Sequence, residues 1–225
     1  MNATSDSTPR LYWISGSPPS WRVMLGLLVK NIGYTSHRLD HSAGENKQPE
    51  YLAINPRGQV PTLVDGSLKI RESIAILAYI DRAFEGPALF GDNPEDIAAI
   101  WQLVMEFENE LRPAVTQVAQ ILLRREVVAR NAELLEAIET VLLWLKRLNE
   151  RLGRCDWLAS SSPSAADCWL YPSLAWIERA SSASNQEHPE ILDHLLEGLP
   201  NVQAWKSRVE TLPKFETTKP PHWNQ

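Results

Sequence analysis

Short apolar runs alternate with amphipathic stretches in the first third of the chain. The run "RLYWI" (10–14) has the length and the aromatic content of a buried strand, and Ser15-Gly16 ends it. An apolar stretch with helical spacing follows at 20–30. The same rules predict strands at 34–40, 62–64 and 68–71, a helical turn at 49–56 and a helix at 72–84. This region is therefore predicted to combine strands with helices.

The order of these elements predicts a mixed sheet. A strand, helix, strand opening requires a right-handed crossover between parallel strands. The pair Asp65-Gly66 is a two-residue hairpin signal, which adds an antiparallel edge. A thioredoxin-like arrangement satisfies both conditions. We therefore expect a thioredoxin-like α/β domain at 10–84, preceded by a flexible polar lead at 1–9.

Beyond this region the apolar period becomes that of helices. Glycine and proline mark a linker at 85–93, and "NPED" (93–96) supplies a cap residue, a first-turn proline and two first-turn acids. Ser164 and Asp167 form a capping box, with Asp in place of the usual Glu, ahead of a later apolar helix. The second domain is therefore predicted to be an all-α helical bundle at 94–225.

Composition and charge remove several classes of function. With 225 residues, 44% of them apolar, the chain can bury a substantial core. A net charge of −6, a pI near 5.4 and the lack of a basic cluster argue against nucleic-acid partners. No apolar run comes near the roughly 18 residues that a membrane span needs, and the polar start "MNATSDSTPR" lacks the apolar centre of a signal peptide. Export and membrane insertion are therefore unsupported, and a cytoplasmic location is expected.

The cysteines and histidines form no recognisable catalytic or metal-binding pattern. Cys155 and Cys168 fit neither a CxxC redox pair nor a disulfide framework, so we interpret both as structural. The histidines are scattered along the chain: His37, His41, His188, His194 and His222. The sequence also lacks a phosphate loop, a zinc-ligand spacing and a nucleophile elbow. Neither a metal nor histidine-based catalysis is therefore expected.

Ser17 lies where the first strand gives way to the first helix, directly before Pro18 and Pro19. The simpler interpretation is an N-cap, because serine before a first-turn proline is a strong helix-start signal. A functional interpretation is also open. A hydroxyl at the positive end of a helix dipole can donate a hydrogen bond to an anion, such as the thiolate of a bound ligand.

Val60-Pro61 introduces the third predicted strand, where proline removes no ladder donor. Base rates favour a trans peptide bond at this position. If the bond is cis, the backbone of Val60 faces outward with unpaired polar groups. Such a backbone can bind a peptide-like ligand in the manner of an added strand.

Glu72-Ser73 opens the helix that follows the hairpin. The pair can be structural, because it places an acid and a capping hydroxyl at a helix start. It can also bind an amino-acid head group. Glu72 would then accept the ammonium, while Ser73 and the backbone N–H groups would take the carboxylate.

The chain resembles the cytosolic glutathione transferase family. The segments that carry the resemblance, in order, are "SPPSWRV" (17–23), "PEYLAINPRGQVPTLVDG" (49–66), "ESIAILAYI" (72–80) and "LPNVQAWKSRV" (199–209). The likeness extends from Leu11 to about Phe215, and "SWRV" behind a serine-containing turn is most similar to the zeta-like and related serine-type classes. It implies a thioredoxin-like domain that binds glutathione and a helical domain that binds the second substrate.

The resemblance assigns a role to each candidate residue. Ser17 matches the serine whose hydroxyl stabilises the glutathione thiolate, and Val60 matches the residue whose backbone pairs with the cysteinyl part. Pro61 matches the cis-proline of the family. Glu72 and Ser73 match the pair that holds the γ-glutamyl group. Glutathione is therefore the implied co-substrate.

Four further positions are similar to the family or depart from it. Gln59 stands where many relatives have Lys or Gln near the glycyl carboxylate of glutathione. Asn46 stands where several relatives place a histidine on glutathione, so this contact is expected to differ. Pro18-Pro19 replaces the Ser-Cys of zeta enzymes, which weakens a zeta assignment.

The implied activity is a serine-type glutathione transferase that attacks a hydrophobic electrophile, works as a homodimer and serves detoxification. The residues expected to line the electrophile site by their position are Tyr12, Trp13, Trp101, Met105, Glu108 and Arg112. One alternative is a glutathione-dependent maleyl-type isomerase, in which Arg22 or Arg112 meets a substrate carboxylate. Another is a non-catalytic ligand-binding or assembly module, because folds are reused for different functions.

Overall fold

The computed structural model describes residues 8–184 and 195–224, which form two compact units. The first unit contains the described residues up to Phe90 together with those from Pro213 onward. The second contains the described residues between Gly91 and Leu212. The helical domain predicted at 94–225 therefore ends earlier than expected, because the last segment packs with the first unit.

The first unit is a thioredoxin-like α/β fold, as predicted. Its elements are β1 (Arg10–Trp13), α1 (Pro18–Val29), β2 (Thr35–Arg38), α2 (Pro49–Leu52), β3 (Thr62–Asp65), β4 (Leu68–Arg71) and α3 (Ser73–Ala83). The strands lie in the order β2-β1-β3-β4. The β1 and β2 strands are parallel, whereas β3 is antiparallel to both β1 and β4.

Two boundaries of the first unit differ from the prediction. Helix α1 begins at Pro18 rather than Ser20, because both prolines adopt helical positions in its first turn. The hairpin loop is Gly66-Ser67 rather than Asp65-Gly66, because Asp65 still pairs with Leu68. Gly66 has φ +56°, a conformation that glycine adopts without steric cost.

The α1 and α3 helices pack closely against each other. A Cβ at Gly26 of α1 would lie 2.2 Å from Cδ2 of Leu77 in α3, so only glycine allows this approach. At the end of α1, Lys30 and Asp81 form an ion pair at 3.5 Å with side chains 1% and 3% exposed. Lys30 also donates to the carbonyl of Pro87 at 3.1 Å, which helps to satisfy this buried charge.

The second unit is all-helical, as predicted. Its elements are α4 (Pro94–Glu106), a π-helical turn (Phe107–Leu111), α5 (Arg112–Leu123), α6 (Asn131–Leu152), α7 (Ala165–Ser184) and α8 (Pro200–Glu210). The cap predicted ahead of α4 forms, with the Asn93 side chain accepting from the N–H of Asp96 at 2.9 Å. The π-helical turn was not predicted, and it buries both of its end residues, Phe107 and Leu111.

The start of α7 is closed by the predicted capping box. The N–H and the hydroxyl of Ser164 both donate to Oδ2 of Asp167 at 2.8 Å. The Oδ1 atom of Asp167 accepts from the N–H of Leu158 at 3.1 Å and from Nε1 of Trp205 at 2.8 Å. Burial raises the pKa of Asp167, although these hydrogen bonds act in the opposite direction.

Neither cysteine is in a disulfide. Cys168 is 1% exposed, and burial raises the pKa of its thiol, as expected for a structural cysteine. Cys155 is half-buried and donates to the carbonyl of Trp157 at 3.1 Å. His188 and His194 lie outside the described residues. Within the described ranges, no helix has the length and apolar character that crossing a membrane requires.

The segment after Pro213 packs on α1. It forms 3₁₀ turns at Phe215–Thr218 and Pro221–Asn224. The indole Nε1 of Trp21 in α1 donates to Oγ1 of Thr218 at 2.9 Å, and both side chains are buried. Phe215 is 1% exposed, with its ring centroid 6.3 Å from that of Trp21. This segment thus contributes to the core of the first unit.

Candidate functional site

Ser17 is the N-cap residue of α1. Its Oγ accepts a hydrogen bond from the N–H of Ser20 at 3.4 Å and another from the hydroxyl of Ser20 at 3.1 Å. Ser20 is 1% exposed, whereas Ser17 is half-buried. The structural interpretation of Ser17 as a cap is therefore correct.

The cap leaves the hydroxyl proton of Ser17 unused. A hydroxyl can donate one hydrogen bond and accept two, and Ser20 fills both accepting positions. Within the described part of the chain, the Ser17 proton has no acceptor. Ser17 can therefore cap the helix and donate to a ligand at the same time.

Pro18 and Pro19 limit the other donors at this helix end. They occupy the first two helical positions and have no N–H. The first available N–H is that of Ser20, which Ser17 already caps, and the N–H of Trp21 donates to the Ser17 carbonyl at 3.0 Å. An anion bound here would depend on the Ser17 hydroxyl and the helix dipole rather than on backbone N–H groups.

The Val60-Pro61 peptide bond is cis, as the resemblance implied. Within the described residues, neither the N–H nor the C=O of Val60 has a hydrogen-bond partner. The preceding carbonyl, that of Gln59, accepts from the hydroxyl of Tyr51 at 2.6 Å and from Nδ2 of Asn55 at 2.7 Å. The segment is therefore held from one side while the Val60 backbone stays available to a ligand.

Sequence reasoning missed the network that holds this segment. Oγ1 of Thr62 lies 2.9 Å from the hydroxyl of Tyr51 and accepts from Nδ2 of Asn55 at 3.1 Å. Burial raises the pKa of Tyr51, which keeps its hydroxyl protonated as a donor. The signal was present in "PEYLAINP", where Tyr51 and Asn55 are one helical turn apart.

Glu72 and Ser73 lie at the start of α3, with different exposure. Glu72 has φ +68°, which a non-glycine residue rarely adopts, and such strain is concentrated at functional sites. Its exposed carboxylate pairs with Arg57, a residue that sequence reasoning did not single out. Ser73 is 6% exposed, and its Oγ accepts from Nη1 of Arg22 at 3.5 Å. Arg22 itself is 3% exposed, so the prediction that it meets a substrate carboxylate is not supported.

Asn46 and Lys47 converge on one carbonyl. Nδ2 of Asn46 donates to the carbonyl of Gly58 at 2.8 Å, and Nζ of Lys47 donates to the same oxygen at 3.1 Å. Asn46 is buried, so it supports the loop that leads to Gln59. Lys47 and the side chain of Gln59 are exposed, which leaves a cation beside the predicted glycyl position. Lys47 was missed, although a cation next to Asn46 was visible in the sequence.

The turn before Ser17 is in contact with a histidine from the far end of the chain. Oγ of Ser15 lies 2.6 Å from Nδ1 of His222, across 207 residues of sequence. Gly16 follows with φ +80°. The sequence analysis gave His222 no role, so its position at this turn is unexpected.

Two residues expected to line the electrophile site are surface residues of the second unit. Trp101 and Met105 on α4 are 36% and 45% exposed. Glu108, in the π-helical turn, accepts from Nε1 of Trp169 and pairs with Arg112 at 3.0 Å. Turns of this type are common at functional sites.

Two more such residues lie on β1 in the first unit. Tyr12 stacks on His37 with ring centroids 4.7 Å apart, and Nε1 of Trp13 donates to Oγ of Ser36 at 2.8 Å. Both β1 side chains are half-buried. No group of three or more His, Cys, Asp or Glu residues that could hold a metal ion occurs in the described ranges.

Two family models match the chain. "Glutathione S-transferase, N-terminal domain" matches residues 7–82. "Glutathione S-transferase, C-terminal domain" matches residues 111–213. The two matches fall on the α/β and the helical parts of the chain, respectively.

Individual proteins are similar over most of the chain. Glutathione S-transferase A of Pleuronectes platessa is 30% identical over 222 residues, covering 95% of this chain and 92% of that protein. Maleylacetoacetate isomerase of Pseudomonas aeruginosa is 29% identical over 177 residues, covering 76% and 82%. The crystal structure of a glutathione S-transferase from the Antarctic clam Laternula elliptica superposes with a TM-score of 0.81 at 29% identity, covering 97% and 95%.

Proposed function

The chain belongs to the glutathione S-transferase family, and we propose that it activates the thiol of glutathione as a thiolate for attack on a hydrophobic electrophile. The observation that carries this proposal is the unused hydroxyl proton of Ser17, at a helix end where Pro18 and Pro19 remove other donors. The Ser17 hydroxyl would donate a hydrogen bond to the glutathione sulfur, which favours the thiolate, and the thiol proton would be released to solvent. The thiolate would then form a bond to the electrophilic carbon as the leaving group departs with its electron pair.

The remaining candidate residues would hold glutathione in place. The free N–H and C=O of Val60 suit the peptide-like cysteinyl part. Glu72 and Ser73 suit the ammonium and the carboxylate of the γ-glutamyl group. The exposed Gln59, with Lys47 beside it, suits the glycyl carboxylate.

The size of the required effect matches what one hydroxyl can supply. A thiol with a pKa near 8.5 is only a few per cent ionised at pH 7, and lowering this pKa by about two units requires about 2.7 kcal/mol. A hydrogen bond to a charged acceptor contributes about 1.5–3 kcal/mol. A helix dipole adds about 0.3–1 kcal/mol. Ser17 and the end of α1 are together sufficient.

Substitution of Ser17 tests the proposal. We expect Ser17→Ala to lower kcat/KM with an activated aryl halide by about 10-fold to 100-fold near pH 6.5, the range of one charged hydrogen bond. The pH midpoint of kcat/KM should rise toward that of free glutathione. Ser17→Thr, which keeps the hydroxyl, is the matched control. Full turnover by Ser17→Ala would rule out the proposed role of Ser17.

An isomerase function is the second candidate, because a maleylacetoacetate isomerase is among the similar proteins. Here the thiolate would add to a maleyl-type double bond and leave again after rotation, so glutathione would not be consumed. Arg112 could meet a substrate carboxylate, although it is already paired with Glu108. Isomerisation of maleylacetoacetate without net loss of glutathione would support this function.

Two further features of the proposal come from the family alone. We expect a homodimer, which light scattering in solution would test, and a cytoplasmic location, which imaging of the tagged chain would test. The helical unit would bind the electrophile. If calorimetry detects no glutathione binding, a non-catalytic ligand-binding or assembly module becomes the better interpretation.

A further inference from the structure

The end of the described chain lies directly on the turn that leads to Ser17. Nδ1 of His222 is 2.6 Å from Oγ of Ser15, which is the distance of a short hydrogen bond. Among the described residues, this is the hydrogen bond of the Ser15 side chain. His222 therefore determines where the Ser15 side chain is held.

The same histidine covers the peptide between Ser15 and Ser17. A Cβ at Gly16 would lie 2.9 Å from Cε1 of His222 and 3.4 Å from Nε1 of Trp223. The first distance is shorter than a normal contact, so a side chain at position 16 would displace the His222 ring. Gly16 thus has two reasons to be glycine, the ring above it and its φ of +80°.

The segment that carries His222 is anchored on the helix that Ser17 caps. Trp223 packs edge-on against Trp21 of α1, with ring centroids 5.4 Å apart. Trp21 in turn donates to Oγ1 of Thr218 at 2.9 Å. The segment 218–223 therefore contacts both α1 and the turn before it, and it fixes one relative to the other.

The Ser15-Gly16-Ser17 turn is closed by a backbone hydrogen bond. The N–H of Ser17 donates to the carbonyl of Ile14 at 3.2 Å, which closes a turn with Ser15 and Gly16 at its centre. The direction of the Ser17 hydroxyl depends on how these central residues are held. Hydrogen bonds weaken steeply with angle, so a small rotation of the turn would reduce donation to a ligand.

We propose that His222 is a positioning residue, which acts through Ser15 to hold the Ser15-Gly16-Ser17 turn so that the Ser17 hydroxyl points to the glutathione sulfur. This inference rests on the proposed role of Ser17. The contact between Ser15 and His222 is exposed to solvent, so we expect it to contribute little to the free energy of unfolding. Its expected effect is on the orientation of the turn.

Substitutions at both ends of the contact test this inference in the full chain. We expect His222→Ala and Ser15→Ala each to lower kcat/KM for glutathione by about threefold to tenfold, the range of one hydrogen bond. The pH midpoint of thiol ionisation should rise in both variants. The double variant should be no worse than either single one. His222→Asn, whose amide occupies a position close to that of Nδ1, should recover most of the activity.

The matched control is His41→Ala, which removes an exposed histidine elsewhere in the first unit and should leave all these values unchanged. If His222→Ala lowers the unfolding temperature but not kcat/KM or the pH midpoint, His222 is only structural and the inference is wrong. Additive effects in the double variant would also overturn it. Retained activity in Ser17→Ala would instead contradict the proposed function, so the two failures are distinguishable.

Discussion

Helices α1 and α7 both begin after a capping serine, but the hydroxyl groups of the two serines make different hydrogen bonds. Ser17 and Ser164 both precede the first residue of a helix. At α7, the hydroxyl of Ser164 donates to Asp167, and both residues are almost completely buried. At α1, the hydroxyl of Ser17 accepts from Ser20, and its own proton has no acceptor in the described chain.

The third helical residue accounts for this difference. An ionised Asp167 can only accept hydrogen bonds, so the hydroxyl of Ser164 donates to it within the helix start. Ser20 donates, so it leaves the proton of Ser17 free to point away from the helix. In these two helices, the residue three positions later therefore determines whether the proton of the capping serine is bonded within the helix start or is available to a ligand.

Removing the acceptor at α7 should have the largest effect. Asp167→Ala leaves buried donors of Ser164, Leu158 and Trp205 without their acceptor, and we expect the free energy of unfolding to fall by about 3–5 kcal/mol. Urea denaturation measures this loss. Asp156→Ala, which breaks an exposed pair with Arg208, is the control. If both variants lose a similarly small amount of unfolding free energy, the hydrogen bonds to Asp167 do not have the stabilising role given to them here.

Giving α1 the acceptor found at α7 should remove the role proposed for Ser17. In Ser20→Asp the new carboxylate accepts a hydrogen bond from the Ser17 hydroxyl, which is then not available to glutathione. We therefore expect kcat/KM for glutathione to fall by about 10-fold to 100-fold, the value of one charged hydrogen bond. The test is steady-state kinetics with far-ultraviolet circular dichroism to confirm that α1 is retained. Unchanged kinetics in a folded variant would contradict the role given to the third residue.

Removing the Ser20 hydroxyl should have a smaller effect. Ser20→Ala keeps the backbone N–H that Ser17 caps but removes one of its two donors. We expect about a threefold to tenfold loss in kcat/KM, as for one neutral hydrogen bond. Ser20→Thr, which keeps the hydroxyl, should retain activity. A loss of equal size in the Thr variant would point to packing instead.

The smallest effect is expected at the proline pair. Pro18→Ala should lower the free energy of unfolding by about 0.4–1 kcal/mol, because proline restricts the unfolded chain. Activity should not fall, since the change adds an N–H at the anion-binding end of α1. Thermal unfolding and steady-state kinetics measure the two quantities. A clear loss of activity would mean that Pro18 shapes the site directly.

Local patterns were sufficient to predict most of the fold. The aromatic run at 10–14, the helical spacing after Pro19 and the hairpin signal at Asp65-Gly66 depend on neighbouring residues, which is why each element was located within a few positions. The π-helical turn at Phe107–Leu111 was not predicted, because a single wide turn spans too few residues to give a periodic signal of its own.

The candidate site was predictable in its residues but not in its contacts. Motifs located Ser17, Val60 and Glu72, although their roles remain proposals. The direction of the Ser17 proton depends on a 3.1 Å contact with Ser20, which no pattern encodes. Ser15 and His222 are 207 residues apart in the sequence. The polar and aromatic segment 218–223 has no periodic pattern that would indicate where it packs.

The division of the first unit between two distant stretches of chain has a consequence for biosynthesis. Its sheet and helices come from residues up to Phe90, but its last packing elements come from Pro213 onward. A ribosome must therefore translate the whole helical unit before Trp21 can meet Thr218. Domains generally fold in the order in which they emerge, but here the first to emerge is among the last to be completed. The Ser15-Gly16-Ser17 turn acquires its final contacts only when His222 has left the ribosomal tunnel.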